Sequence, residues 1–138
     1  MKIAIINGPN LNLIGTRETD IYGLQSFDDY LTYLRTKYEG VEFSFFQSNI
    51  EGEIINELQR AGFESHGIIL NPGGYTHTSV AIGDAVASIP TKVIEVHISN
   101  IMGREEFRKL SHVSAAAKGT ISGLGLRGYE LALQYFIE

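Results

Sequence analysis

The chain has 138 residues, of which 43% are hydrophobic, so it can bury one core and we expect a single domain over residues 1–138. Its 11 Lys and Arg against 16 Asp and Glu give a formal net charge of -5, and no basic run interleaved with aromatic residues occurs, which argues against a nucleic-acid partner. The absence of cysteine excludes disulfides, a thiolate nucleophile and cysteine-bound zinc. With no signal-like segment and no apolar run of about 20 residues, we expect a cytoplasmic protein without a membrane span.

Five short apolar runs predict strands, and the segments between them carry apolar residues at helical spacing. The predicted strands are 3–7, 41–47, 67–71, 92–98 and 119–122. The predicted helices are 27–38, 53–63, 79–89, 105–110 and 128–137. Because strand and helix alternate, we predict parallel pairing through right-handed crossovers. The expected fold class is α/β, a flavodoxin-like doubly wound five-stranded parallel sheet of order 2-1-3-4-5, with ligands beyond the carboxyl ends of the strands.

The connection after the first predicted strand, residues 8–23, is longer than the roughly two to six residues that such a connection needs. It carries Asn10, Arg17 and Tyr22 between glycines, which is typical of a lid or binding loop; the alternative is a disordered surface excursion. A tyrosine, with a reference pKa of about 10, is a base at neutral pH only beside a cation in a dry site. Arg17 and Tyr22 are a candidate pair of this kind, although their residue types alone favour ordinary surface contacts.

The third predicted strand is followed by a turn with the sequence Asn71-Pro-Gly-Gly-Tyr-Thr-His-Thr-Ser79. One of its hydroxyl residues is expected to cap the next helix. Since a helix N-terminus at a strand end also offers N–H groups to an anionic or hydroxyl-rich ligand, Asn71 and His77 are candidate ligand contacts. Asp84 is expected on the same helical face as His77; the alternative is a solvated or interface charge.

The fourth predicted strand departs from the continuous apolar run that a central parallel strand should show. Glu95, His97 and Ser99 alternate with apolar residues, which places the three polar side chains on one face at the carboxyl end. A carboxylate two residues before a histidine can hold its tautomer and stabilise its charged form, as a general acid requires. The alternative is a structural pair at a subunit contact.

Four other motif classes are set aside. The segment from Gly123 to Gly128 matches G-x-G-x-x-G, but no second strand with an acidic residue about 20 positions on accompanies it, so we interpret it as a turn with close helix–sheet packing. The four histidines lack short ligand spacing, and neither a P-loop lysine motif nor a G-x-S-x-G elbow occurs, so we expect no metal and no nucleotide cofactor.

Four separated motifs in order closely resemble the type II 3-dehydroquinate dehydratase family. They are Asn7-Gly-Pro-Asn-Leu-Asn-Leu-Ile-Gly-Thr-Arg-Glu18 with Tyr22-Gly23, the turn 71–79, Glu95-Val-His-Ile-Ser-Asn100, and Arg104-Glu-Glu-Phe-Arg108. The resemblance spans essentially the whole chain. It implies a flavodoxin-like fold, one catalytic domain, a homo-oligomer in the form of a dodecamer built from trimers, and no cofactor.

The resemblance also implies roles in the conversion of 3-dehydroquinate to 3-dehydroshikimate. Tyr22, kept ionised by Arg17, would take a proton beside the ketone to give an enolate. His97, oriented by Glu95, would protonate the departing hydroxyl in an anti elimination. The other implied site residues are Asn10, which would hold a water at the enolate, Asp84, which would reach into a neighbouring subunit's site, and five substrate contacts: Asn71, His77, Ile98, Ser99 and Arg108.

The sequence departs from the family pattern at two positions. Thr19 replaces a proline that is common after the Arg-Glu pair, which frees the loop backbone, and Ser88 stands where some relatives carry a longer acidic side chain. These changes bear on lid order and inhibitor preference. The rival hypotheses are a non-catalytic flavodoxin-like module that binds an anion in the same crevice, and a flavodoxin proper.

Overall fold

One parallel sheet organises the chain. In the computed structural model, which describes residues 1–15 and 25–138, the strands pair in the order β2-β1-β3-β4-β5, and this confirms the predicted fold class. Each strand begins and ends within about one residue of its predicted range. The strands are β1 (Lys2–Asn7), β2 (Glu42–Gln47), β3 (Gly67–Asn71), β4 (Val93–His97) and β5 (Gly119–Ser122).

The described part of the chain has four α-helices: α1 (Phe27–Lys37) between β1 and β2, α2 (Glu51–Glu64) between β2 and β3, α3 (Val80–Ser88) between β3 and β4, and α4 (Arg127–Ile137) after β5. The prediction of a further helix over 105–110 was wrong, because this segment forms only a 3-10 turn, Glu106–Lys109. None of its four residues is buried, so the turn has no apolar face to pack and extend it. None of the described helices has the length and apolar content needed to cross a bilayer.

Local sequence explains where the helices begin. Ser26 caps α1 by accepting a hydrogen bond from the backbone N–H of Asp29 at 3.1 Å, and Ser79 caps α3 in the same way through Ile82 at 2.9 Å. Ser79 is therefore the hydroxyl residue of the 71–79 turn that fulfils the predicted capping role. In α1, acidic residues occupy the first turn and basic residues the last, which complements the helix dipole.

The core lies in two layers, one on each face of the sheet. Ile3 and Ile5 of β1 contribute to the layer that includes apolar residues of α1 and α4, whereas Ala4 and Ile6 contribute to the layer with α2 and α3. This division follows from the alternation of side chains along a strand. Helices thus cover both faces, as the alternating pattern predicted.

The sheet order fixes the position of the polar strand ends. β1 lies between β2 and β3, so the connections leaving β1 and β3 diverge to opposite sides and open a crevice at their carboxyl ends. Asn7 pairs in register with Asn71, and the N–H of Gly8 donates to the carbonyl of Asn71 at 2.8 Å. The loop after β1 and the turn after β3 therefore start side by side.

The G-x-G-x-x-G segment is a turn with close packing, as interpreted from the sequence. Gly123 and Gly125 have φ angles of 89° and 63°, in the region that favours glycine. At Gly128 a Cβ would lie 3.2 Å from the Val96 side chain, so the missing side chain lets α4 approach β4 closely. This approach brings Tyr129 under the carboxyl ends of β1 and β3.

Candidate active site

A pocket of about 160 Å³ opens where the β1, β3 and β4 carboxyl ends meet the loops that follow them. Most of the polar residues predicted for the site line it: Asn10, Asn71, His77, His97, Ser99 and Arg108, together with the apolar Ile98. Arg104 lines it as well, although the sequence analysis assigned that residue no role. Two arginines in one pocket make it suited to an anionic ligand.

Glu95 and His97 form the buried pair that the alternating pattern predicted. Glu95 is 0% exposed and His97 4% exposed, and a carboxylate oxygen of Glu95 is hydrogen-bonded to Nε2 of His97. Nδ1 is thus the ring nitrogen left for the pocket that His97 lines. Burial alone would raise the pKa of Glu95, but the hydrogen bonds that it accepts, above all from His97, hold this pKa below its ordinary value. Glu95 is therefore an anion at neutral pH.

His77 lies beside His97 and is held by the backbone. The two rings stack with centroids 6.3 Å apart, and Nδ1 of His77 lies 2.7 Å from the carbonyl oxygen of Leu110. Since a carbonyl only accepts, Nδ1 carries the hydrogen and Nε2 is the free acceptor. Burial, aided by the nearby charges of His97 and Arg108, lowers the pKa of His77, so the ring is neutral at pH 7.

Asn71 is anchored by a buried hydrogen-bonded chain beneath the pocket. Its Nδ2 donates to the hydroxyl oxygen of Tyr129 at 2.9 Å, and that hydroxyl donates to Oδ1 of Asn7 at 2.8 Å. Oδ1 of Asn71 accepts from the backbone N–H of Gly73 at 3.1 Å. Helix α4 therefore fixes the ends of β1 and β3 together and sets the amide orientation of Asn71.

The two arginines differ in how they are restrained. Nε of Arg108 is paired with Glu105 at 2.5 Å, and its guanidinium lies over the Phe107 ring at 4.9 Å. Nη1 of Arg104 donates to Oγ of Ser99 at 3.2 Å, while its Nε lies 4.0 Å from Glu105. Both arginines belong to the segment between β4 and β5, and both line the pocket.

Asn10 is held in an unusual backbone conformation in the loop after β1. Its φ of 69° and ψ of -4° lie in the left-handed region, where it is the one non-glycine residue among those described. Its backbone N–H donates to Oδ1 of Asn49 at 3.0 Å. The loop enters the pocket rim in this strained form and continues to Gly15, where the first described range ends.

Two predicted site residues among those described, Glu95 and Asp84, do not line this pocket, and Glu95 lies beside it through its bond to His97. Asp84 lies exposed on α3 and does not line it; the expected shared helical face with His77 was wrong, because His77 belongs to a buried 3-10 turn that ends before the helix. Arg17 and Tyr22 lie outside the described residues, and so does Thr19, because the structure does not describe residues 16–24.

Several residues around the site were missed from the sequence. Arg104 could have been found, because it opens the Arg104-Glu-Glu-Phe-Arg108 motif. Thr76, Ser111 and Ser114 surround the Glu95 carboxylate, yet the two serines lie in an irregular segment without periodicity. Tyr129 was hidden among the apolar residues of α4, which predict packing and carry no polar signal.

The residues of this pocket can transfer a proton and bind an anionic ligand. An imidazole backed by a buried anion can give up a proton to a leaving oxygen, and the neighbouring arginines and amide can hold a carboxylate and hydroxyls. Among residues 1–15 and 25–138 no group of three or more His, Asp or Glu side chains is arranged to hold a metal ion.

Comparisons with known proteins identify the family of this chain. The model of the family "Dehydroquinase class II" matches residues 1–137. The 3-dehydroquinate dehydratase of Fusobacterium nucleatum subsp. nucleatum is 54% identical, over 100% of this chain and 97% of that protein, and that of Clostridium beijerinckii is 53% identical, over 97% and 94%. A crystal structure of the type II dehydroquinase from Butyrivibrio crossotus superposes with a TM-score of 0.93 at 47% identity, covering 100% of this chain and 98% of that one. The chain therefore belongs to the class II dehydroquinase family.

Proposed function

We propose that this protein is a type II 3-dehydroquinate dehydratase, a hydro-lyase that removes water from 3-dehydroquinate to give 3-dehydroshikimate. The observation that carries the proposal is the buried Glu95–His97 pair, whose histidine lines a pocket that also contains two arginines. The pair supplies an acid for a departing hydroxyl, and the arginines supply charge for a substrate carboxylate. The residues 1–138 act as a single catalytic domain.

His97 is the general acid. It protonates the departing hydroxyl of the substrate, so that water leaves while the carbon–carbon double bond forms. The negative charge of Glu95 stabilises the imidazolium before the transfer and keeps Nε2 turned away from the pocket. After the transfer, the neutral ring retains its hydrogen bond to Glu95, which preserves its orientation for the next cycle.

Tyr22 is the base. Its phenolate removes the proton from the carbon beside the ketone and leaves an enolate, and the elimination is anti because the base and the acid act from opposite sides. Arg17 keeps Tyr22 ionised: a guanidinium at about 4 Å contributes on the order of 4 kcal/mol at an effective dielectric of 20 but only about 1 kcal/mol in water. The pair therefore works only when the loop that carries it excludes water.

The remaining pocket residues bind the substrate. Asn10 holds a water that stabilises the enolate oxygen. Asn71, anchored by Tyr129, and His77, with Nε2 as a free acceptor, recognise hydroxyl groups. Arg108 binds the carboxylate, and Ile98 and Ser99 contact the substrate next to His97.

Assembly contributes to the site. We propose a cytoplasmic dodecamer built from trimers, in which Asp84 of one subunit completes the pocket of its neighbour; the exposure of Asp84 in the single chain leaves it available for this. Sedimentation should give a mass of about twelve subunits for the wild type. Asp84→Ala should raise KM, whereas the same change at the exposed Glu39, in the turn before β2, should not.

The decisive experiment is a cofactor-free assay. Purified protein treated with a chelator should convert 3-dehydroquinate to a conjugated enone, seen as a rise in near-ultraviolet absorbance. Tyr22→Phe should lower kcat by about two to four orders of magnitude while the protein stays folded. If the folded wild-type protein produces no absorbance rise, the proposed function is wrong; if Tyr22→Phe turns over normally, only the assignment of the base is wrong.

A further inference from the structure

The Glu95 carboxylate is surrounded by hydroxyl groups from two other segments of the chain. Oγ1 of Thr76, from the 71–79 turn, lies 2.7 Å from one carboxylate oxygen, and Oγ of Ser114 lies 2.7 Å from the other. Oγ of Ser111 lies 3.2 Å from both and 2.8 Å from Oγ1 of Thr76. Together with His97 these hydroxyls occupy the roughly four acceptor positions of a carboxylate.

The hydroxyl protons can be assigned from the bonding pattern. An ionised carboxylate only accepts, so Thr76 and Ser114 each give their single proton to Glu95. Ser111, whose oxygen accepts the N–H groups of Val113 and Ser114 at 3.1 and 3.0 Å, has one proton, which faces the Thr76 oxygen at 2.8 Å and the two Glu95 oxygens at 3.2 Å. Because the Thr76 oxygen is the nearest of these acceptors, the Ser111 proton favours the orientation in which Thr76 donates to Glu95.

Within the described ranges, the Glu95 carboxylate is held without a lysine or arginine. Among the described residues no Lys or Arg is paired with Glu95; the titratable groups that face it are His97 on its own strand and His77 on the 3-10 turn. From the segment before β5, the hydroxyls of Ser111 and Ser114 are hydrogen-bonded to Glu95. A buried carboxylate without a cation is costly unless donors replace its lost hydration.

We propose that Thr76 and Ser114, with Ser111 orienting Thr76, are positioning residues that hold Glu95 as an anion and leave its charge for His97 alone. A lysine or arginine in their place would neutralise Glu95 and weaken its effect on the imidazole. None of the three hydroxyl residues lines the pocket, so they act on the reaction through Glu95 and not through the substrate. The catalytic part of this inference rests on the proposed function, whereas the titration of Glu95 does not.

The first test is a titration of the free protein. The carboxyl carbon of Glu95 would be followed by NMR in protein labelled with ¹³C-glutamate, assigned with Glu95→Gln, in Ser114→Ala and Thr76→Val. Each loss of a donor to a charged group should raise the Glu95 pKa by about one to two units. Ser114→Thr and Thr76→Ser, which keep the hydroxyl, should restore it. Thr36→Ala, which removes a hydroxyl bonded only within α1, should change nothing.

The second test separates kcat from KM in the enone assay. Ser114→Ala should lower kcat about tenfold near the acidic limit of activity and leave KM within about twofold, with a smaller loss at higher pH. Ser114 is partly exposed, so this variant carries the test even if Thr76→Val does not fold. An unchanged Glu95 titration in a folded Ser114→Ala protein would overturn the inference. A shifted titration in a protein without enone production would uphold the role of the hydroxyls and overturn the proposed function.

Discussion

Among the described residues, two glutamates are buried, and their charges are stabilised in different ways. Glu130 on α4 is 5% exposed and accepts hydrogen bonds from Lys37 at 2.5 Å, Tyr38 at 2.5 Å and Tyr33 at 3.1 Å. Glu95 on β4 is surrounded by hydroxyls and one histidine. In both, burial alone would raise the pKa, and the hydrogen bonds overcome this and lower it.

The difference lies in what remains of the charge. Lys37 neutralises Glu130, so this ion pair between α1 and α4 has no net charge. Its role is to hold the two helices together. Glu95 is stabilised by dipoles, so its full negative charge acts on His97. A buried carboxylate that is paired with a cation, like Glu130, therefore has a structural role. A buried carboxylate that is held by hydroxyl groups, like Glu95, keeps a charge that can act on a catalytic group.

The largest expected effect is on the acid itself. His97→Ala should lower kcat by about two to four orders of magnitude, because the departing hydroxyl loses its proton donor. The enone assay measures this. His66→Ala, which removes a histidine at the opposite end of β3, is the matched control and should retain wild-type turnover. Wild-type kcat in His97→Ala would show that the acid lies elsewhere.

Removal of the charge next to His97 should have the second largest effect. Glu95→Gln keeps the shape but cannot stabilise an imidazolium, so we expect kcat to fall on the order of 10²-fold. Glu130→Gln should leave kcat within about twofold, since that charge does not reach the pocket. If kcat falls equally in the two variants, the proposed difference between a functional Glu95 and a structural Glu130 is wrong.

The third prediction concerns stability. Glu130→Gln should lower the free energy of unfolding by about 1 to 3 kcal/mol, because a buried acceptor loses charge-assisted hydrogen bonds. Urea unfolding followed by circular dichroism would measure it. Tyr33→Phe, which removes the longest of the three bonds, should cost less. A Glu130→Gln protein as stable as the wild type would mean that burial of the ion pair cancels its attraction.

The smallest effect is on the pH dependence of stability. Because the folded pKa of Glu130 lies below its ordinary value of 4.5, its contribution is complete above pH 4.5 and is lost as the pH falls through the folded pKa. The stability difference between wild type and Glu130→Gln should therefore shrink as the pH is lowered from about 4.5. Urea midpoints at pH 7 and in this acidic range would measure it. A difference that grows on acidification would contradict the assignment.

Much of the fold was predictable because each strand of the sheet is a distinct apolar run. The order 2-1-3-4-5 followed from alternation of strand and helix, and Glu95 and His97 stood out because they interrupt an apolar strand. The hydroxyls around Glu95 were not predictable, since serine and threonine in an irregular segment favour turns and caps equally well. The 3-10 turn at 106–109 was missed for a related reason: its charged sequence fits a helix locally, but no core residue holds it there.

The left-handed conformation of Asn10 limits what mutation can place at the pocket rim. Most side chains would cost about 1 to 2 kcal/mol at a φ of 69°. Glycine, asparagine and aspartate accept this region readily, but glycine has no side chain and aspartate would repel the proposed enolate. The backbone conformation and the proposed role at the enolate therefore each favour asparagine at position 10. Position 10 should tolerate substitution less than its exposed side chain suggests. An alanine variant would disfavour the left-handed backbone conformation and would also remove the side-chain amide.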